Sequence, residues 1–196
     1  TVGGKAISLE KMEDVSKTAR KNSLSIHLDG ARFFNAITEL NCKPEELANC
    51  ADSVSVCLSK GLGTPLGTVL VGSSKFIRKA RRNRKILGGS MRQVGIVAAA
   101  GHYALDNNIS RLVEDHNRAK CLANELREMN IGHVDSGTNM VFFTPKDGRS
   151  ENLRLHLEKY GVKIGDQHPS IRMVLHRDVS DEGLDKAIAG FKSFYQ

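Results

Sequence analysis

Ala51–Ser73 reads ADSVSVCLSKGLGTPLGTVLVGS. Its first eight residues, Ala51 to Leu58, form a short β-prone run that closes on Ser59 and Lys60. Gly61, Gly63 and Gly67, with Pro65 among them, then make a loop, and Thr68 to Gly72 is β-prone again. Upstream, Ser25 to Leu28 is a brief extended run ending in Asp29-Gly30, preceded by a helical pattern over Leu9 to Lys21 and followed by one over Gly30 to Leu40, with a break from Asn41 to Pro44. Downstream, a basic helix over Ser74 to Lys85 stops at Gly88-Gly89. Arg92 to Leu105, rich in small residues, and Ser110 to Met129 read as further helices. Short, nearly continuous apolar strands separated by helices predict an α/β fold whose sheet is mixed, mostly parallel and covered on both faces. The pattern changes after IGHVDSG, Ile131 to Gly137. Strands over Met140–Thr144, Val162–Ile164 and Ile171–Leu175, with helices over Glu151–Tyr160 and Asp181–Tyr195, predict a small α+β domain. The expected division is therefore an incomplete large domain over residues 1–130 and a small domain over 131–196.

The composition narrows the function classes. In 196 residues, hydrophobic side chains make up 40% and aromatics 5% with no Trp, enough for an aliphatic core. No apolar run reaches the ~20 residues of a membrane span, and the first residues, TVGGKAISLEK, have no charged-then-apolar signal pattern. A soluble, cytoplasmic protein without membrane contact is expected. Its Thr1 start predicts that the chain is part of a longer protein. The net charge of +7 fits a nucleic acid, an anionic cofactor or a basic subunit interface. The basic helix (Lys75, Arg78, Lys79, Arg81, Arg82, Arg84, Lys85) lacks interleaved aromatics and any helix-turn-helix or zinc-knuckle signal, so it is read as a solvated or interface face and no nucleic acid is expected. Cys42, Cys50, Cys57 and Cys121 match no zinc spacing, and the histidines are scattered. Idle thiols and no metal site are expected.

Two residues stand where chemistry would be placed. Lys60 follows a strand and precedes a permissive glycine loop, where a lysine meets a ligand and attacks carbonyl groups once its ammonium is partly desolvated. A solvated loop lysine is the plain alternative. Asp29 ends the preceding strand, and in a parallel sheet neighbouring carboxyl ends open on one crevice. A lysine and a carboxylate there suit pyridoxal phosphate, the amine forming a Schiff base and the acid pairing with the ring nitrogen. Asp29 is equally read as a turn residue or a helix cap.

HLDGAR (His27–Arg32), the Ala51–Ser73 stretch, RKILGGSMRQVGIVAAAGHYAL (Arg84–Leu105) and IRMVLHRDVS (Ile171–Ser180) together resemble the threonine aldolases, pyridoxal-phosphate enzymes of the aspartate-aminotransferase-like fold. The resemblance implies that Lys60 is the Schiff-base lysine and that Asp29 keeps the pyridine nitrogen protonated. It implies Arg32 beside the cofactor and the substrate carboxylate, and Arg172 on that carboxylate from the small domain, where a surface strand-edge arginine is the alternative. Lys85 and Arg92 would lie near the cofactor phosphate or the neighbouring subunit. The implied reaction is cleavage of L-threonine or L-allo-threonine to glycine and acetaldehyde by a homodimer or homotetramer acting on a small amino acid. Ser90 departs from the family's glycine run, and Leu175 and Arg177 depart beside His176. The family's phosphate loop and ring-stacking histidine would precede Thr1, so weak cofactor binding by the chain alone is expected. A catalytically inactive remnant keeping only the dimer-forming surface is the competing reading, and cofactor absorption separates the two.

Overall fold

A computed structural model describes residues 3–165 and 169–196. The chain divides into two compact units, one of Ile7–Arg111 and one of Leu112–Gln196 joined by the amino-terminal residues through Ala6.

In the first unit, helix α1 (Leu9–Lys21) starts where the Ser8 side chain accepts from the Lys11 amide at 3.3 Å. Strand β1 (His27–Gly30) lies two residues beyond the expected run. Ile26 is instead used at the strand's entry, where its amide donates to Asp52 Oδ2 at 2.8 Å and its carbonyl accepts from the Asp52 amide at 2.9 Å. Helix α2 (Phe33–Leu40) ends on Asn41 in the left-handed conformation. The break expected around Pro44 contains helix α3 (Pro44–Ala48), since proline at the first helical position sacrifices only a donor that is orphaned anyway. Strands β2 (Ser53–Cys57) and β3 (Thr68–Gly72) and helices α4 (Ser74–Ile86) and α5 (Gly95–Asn107) follow. The sheet order is β1-β2-β3, β1 parallel and β3 antiparallel to β2, so it is mixed, with one pairing of each kind. Gly30 is required where it stands, because a Cβ there would sit 2.5 Å from the Ser55 carbonyl oxygen of β2. Val54, Val56 and Leu58 join Phe33, Ile37 and Leu47 in the core, whereas Val69 and Val71 of β3 remain 44% and 49% exposed, leaving that strand's faces open.

The second unit contains α6 (Leu112–Glu128), β4 (Gly132–Gly137), β5 (Met140–Pro145), α7 (Ser150–Glu158), β6 (Ile171–Val174) and α8 (Asp181–Tyr195). Its sheet is antiparallel in the order β4-β5-β6. Leu122 and Leu126 of α6 share one core with Phe143, Leu153, Ile171 and Phe191, and the Phe143 and Phe191 rings meet edge to face at 5.5 Å. The two compact units divide at Arg111/Leu112, where α6, read from the sequence as an interdomain helix, buries its apolar stripe in the second unit's core. IGHVDSG, expected as a linker, supplies strand β4. Gly132 there faces Phe143, whose ring atom Cε2 a Cβ would meet at 2.4 Å. Val162–Ile164, expected as a strand, forms none, although both apolar side chains pack on the core. The β4–β5 turn is held by Thr138 Oγ1, which donates to the Gly4 carbonyl at 2.8 Å, and by Asn139 Nδ2, which donates to the Leu175 carbonyl at 2.7 Å.

Candidate active site

Because β1 and β2 are parallel, their carboxyl ends leave the sheet on the same side, and Asp29 lies opposite Ser55 in register. Asp29 is exposed, and its Oδ1 accepts from the Ala31 amide at 3.0 Å. One carboxylate oxygen of Asp29 thus braces the turn that follows β1. Three positions on, half-buried Arg32 occupies the cap position of α2.

Lys60 follows β2 at the same end and is exposed, but the backbone around it is fixed. Its carbonyl accepts from the Gly63 amide at 2.9 Å, the Thr64 amide donates to the Leu58 carbonyl at 3.2 Å, and the Leu58 amide donates to the Gly67 carbonyl at 3.0 Å. Gly63 and Gly67 take φ of +73° and +125°, which side chains disfavour. Buried Asn108, at the end of α5, donates from Nδ2 to the Leu62 carbonyl at 2.7 Å. The loop therefore carries an exposed amine on a hydrogen-bonded backbone.

Cys57, expected as an idle thiol, belongs to this environment. Burial pushes the thiol up, but hydrogen bonding to Ser59, the Lys60 ammonium and Thr68 together hold it below its ordinary value. Its Sγ lies 3.5 Å from Ser59 Oγ. Burial, joined by nearby Glu46 at Cys42 and Glu13 at Cys50, raises both of those thiols instead. The strand position of Cys57 so close to Lys60 was the available signal. Asn108 carried none in the sequence.

Asp29 and Arg32 stand on the connection from β1 to α2, and Lys60 follows β2 at the same end of the sheet. Lys85, in the last turn of α4, and Arg92, in the turn before α5, are exposed in the same unit, and among the described residues no hydrogen bond or ion pair ties them to those three. Arg172 belongs to the other unit, exposed on β6 opposite Phe142. Among the described residues no three His, Cys, Asp or Glu side chains gather as a metal site would require, and no helix is long and apolar enough to cross a membrane.

Residues 1–147 match the beta-eliminating lyase family. The chain belongs to that family. This beta-eliminating lyase family member is 41% identical to a low specificity L-threonine aldolase of Escherichia coli K12 over 99% of its own length and 58% of that protein's. It is likewise 41% identical to the low-specificity L-threonine aldolase 1 of Arabidopsis thaliana, over 97% of its length and 55% of the relative's. It thus spans little more than half the length of these curated relatives. Its fold matches the structure of Leishmania major threonine aldolase with a TM-score of 0.82 at 17% identity, over 100% of this chain and 59% of that one. The fold is accordingly the α/β architecture expected, with a mixed sheet in the first unit and a small α+β second unit.

Proposed function

We propose that the protein containing this chain is a pyridoxal-phosphate-dependent aldehyde-lyase that cleaves L-threonine or L-allo-threonine to glycine and acetaldehyde. The observation that carries this reading is the parallel pairing of β1 and β2, which delivers a carboxylate and a primary amine to one end of one sheet. That donor set fits the cofactor: an amine for its aldehyde and an acid for its ring nitrogen. When bound, pyridoxal phosphate accepts the electron pair released as the Cα–Cβ bond breaks.

The chain's own residues do the rest. Lys60 would supply the amine that holds the cofactor's aldehyde. Asp29, with Oδ1 fixed by the Ala31 amide, holds a proton on the ring nitrogen, which an amide in its place would not do. Arg32 is assigned to the substrate carboxylate, a task suited to a planar guanidinium that stays charged, and Arg172 is the candidate for that task in the second unit. Lys85 and Arg92 neutralise the phosphate, and a homodimer or homotetramer is the working form. The names of the relatives from Escherichia coli and Arabidopsis thaliana support the substrate class.

Borohydride reduction of the protein with pyridoxal phosphate, followed by peptide mass analysis, tests this. The expected product is a stable adduct on Lys60, lost in Lys60→Ala together with threonine cleavage. Asp29→Asn keeps the adduct and loses turnover by orders of magnitude. An adduct that persists in Lys60→Ala, or normal turnover in Asp29→Asn, overturns the assignment.

A further inference from the structure

The loop that carries Lys60 rests on one stripe of helix α5. Val97, Gly101, Ala104 and Asn108 recur at the spacing of a single helical face, and the Asn108 amide, just past the helix, still donates to the Ala104 carbonyl at 2.9 Å. Val97 meets the far end of the loop, where a Cβ on Gly67 would lie 3.6 Å from Val97 Cγ1. Gly101 makes room for Leu58 at the near end, since a Cβ there would stand 3.2 Å from Leu58 Cδ1. Asn108, only 6% exposed, takes the middle, its Nδ2 donating to the Leu62 carbonyl at 2.7 Å. The stripe thus touches the loop at its start, its centre and its end.

The bonds inside the loop give it a shape: Gly63 to the Lys60 carbonyl, Thr64 to the Leu58 carbonyl, and Thr64 Oγ1 to the Leu66 carbonyl at 3.0 Å. They do not anchor it to anything else. A loop closed on itself still pivots about its ends, and the exposed Lys60 amine, on a flexible stem, moves with it. Asn108 supplies an anchor two residues past Lys60, from a buried position where a carbonyl deprived of its donor is costly. We propose that Asn108 is a positioning residue, which holds the loop of residues 58–67 against α5 and so sets where the Lys60 amine meets an aldehyde. This rests on the reading of Lys60 as the amine that takes the cofactor's aldehyde.

Asn108→Leu keeps the volume and removes the donor; if it does not fold, Asn108→Ser, too short to reach Leu62, is read in the same way. Met12→Ala, a core change on α1 of the same unit, shows how far a general loss of stability moves each measurement. Deuterium exchange in the protein without cofactor reads the hold on the loop. The Gly63 and Thr64 amides are expected to exchange about tenfold faster in Asn108→Leu, the factor that one lost hydrogen bond supplies. Borohydride trapping of the Lys60 adduct against pyridoxal phosphate concentration reads the position of the amine. Half-saturation is expected to rise about tenfold in Asn108→Leu, with trapping on exposed Lys43 unchanged. Exchange that does not quicken, or a half-saturation that moves no further than in Met12→Ala, overturns the role of Asn108 alone. An unmodified protein that traps no adduct on Lys60 overturns the functional reading of that lysine and this proposal with it, so the two failures are told apart.

Discussion

The charge of Lys60 reaches beyond its own amine to the neighbouring thiol of Cys57. The Lys60 ammonium is one of the groups holding the Cys57 thiol low, while Cys42 and Cys50 are raised by burial and by nearby carboxylates. Since the thiolate is the reactive form, iodoacetamide at neutral pH is expected to label Cys57 faster than Cys42 or Cys50. Lys60→Met removes the cation and should slow Cys57 labelling several-fold while leaving the other two unchanged, as read by peptide mass analysis. Equal rates at all three cysteines would show that the local charge does not reach the sulfur. The sequence made Lys60 and Asp29 visible because each ends an apolar run beside glycine, and strand ends in a parallel sheet converge. It could not show that Asn108 pins the glycine loop, because a contact across so many intervening residues leaves no local pattern.

Among the elements, those with a side-chain cap were readable to within a residue or so. Helices α1, α4 and α8 begin at Ser8, Ser73 and Ser180, each accepting an amide from the first turn. Strands β5 and β6 were as readable, whereas β4 was not. β4 has two glycines and a histidine-aspartate pattern that mimics a linker, and it is a strand because β5 pairs with it along its length. Val162 and Ile164 have the opposite character, alternating like a strand yet meeting the core without a ladder. Helix α8 carries a pH consequence. Tyr195 Oη is buried without a hydrogen-bond partner among the described residues, and the Arg149 guanidinium lies 5.6 Å from the ring centre. Burial first, then the charge of Asp147, push its phenol up to about 12. The folded state thus keeps a proton that the unfolded chain releases near pH ~10, so stability falls as pH rises from there to about 12. Tyr195→Phe is expected to remove that loss, as read from a urea denaturation series across this pH range. Parallel pH profiles for the two proteins would show that the phenol titrates alike folded and unfolded.

On the scale of the molecule, the organisation into units was legible in outline and displaced in detail, because α6 is amphipathic and only the core that receives its stripe decides where it belongs. The second unit is also discontinuous in sequence. Gly4 and Lys5 dock on the β4–β5 hairpin through the Thr138–Gly4 hydrogen bond and a 2.9 Å ion pair between Lys5 and Asp135. Gly4 and Gly137 allow this seat, since a Cβ on Gly137 would lie 2.7 Å from the Gly4 carbonyl carbon. The peptide chain therefore passes between the units twice, and a single cut does not free one from the other. If a protease site is inserted between Arg111 and Leu112 and cleaved, the two pieces should elute together on a native sizing column and separate in denaturant. The same cut in Gly137→Val should release them at lower denaturant, because the leading residues lose their seat. Pieces that part at once in the unmodified sequence would mean that the seat contributes no hold. The first few residues thus act as a latch, making the order of elements along the chain a mechanical property as well as a topological one.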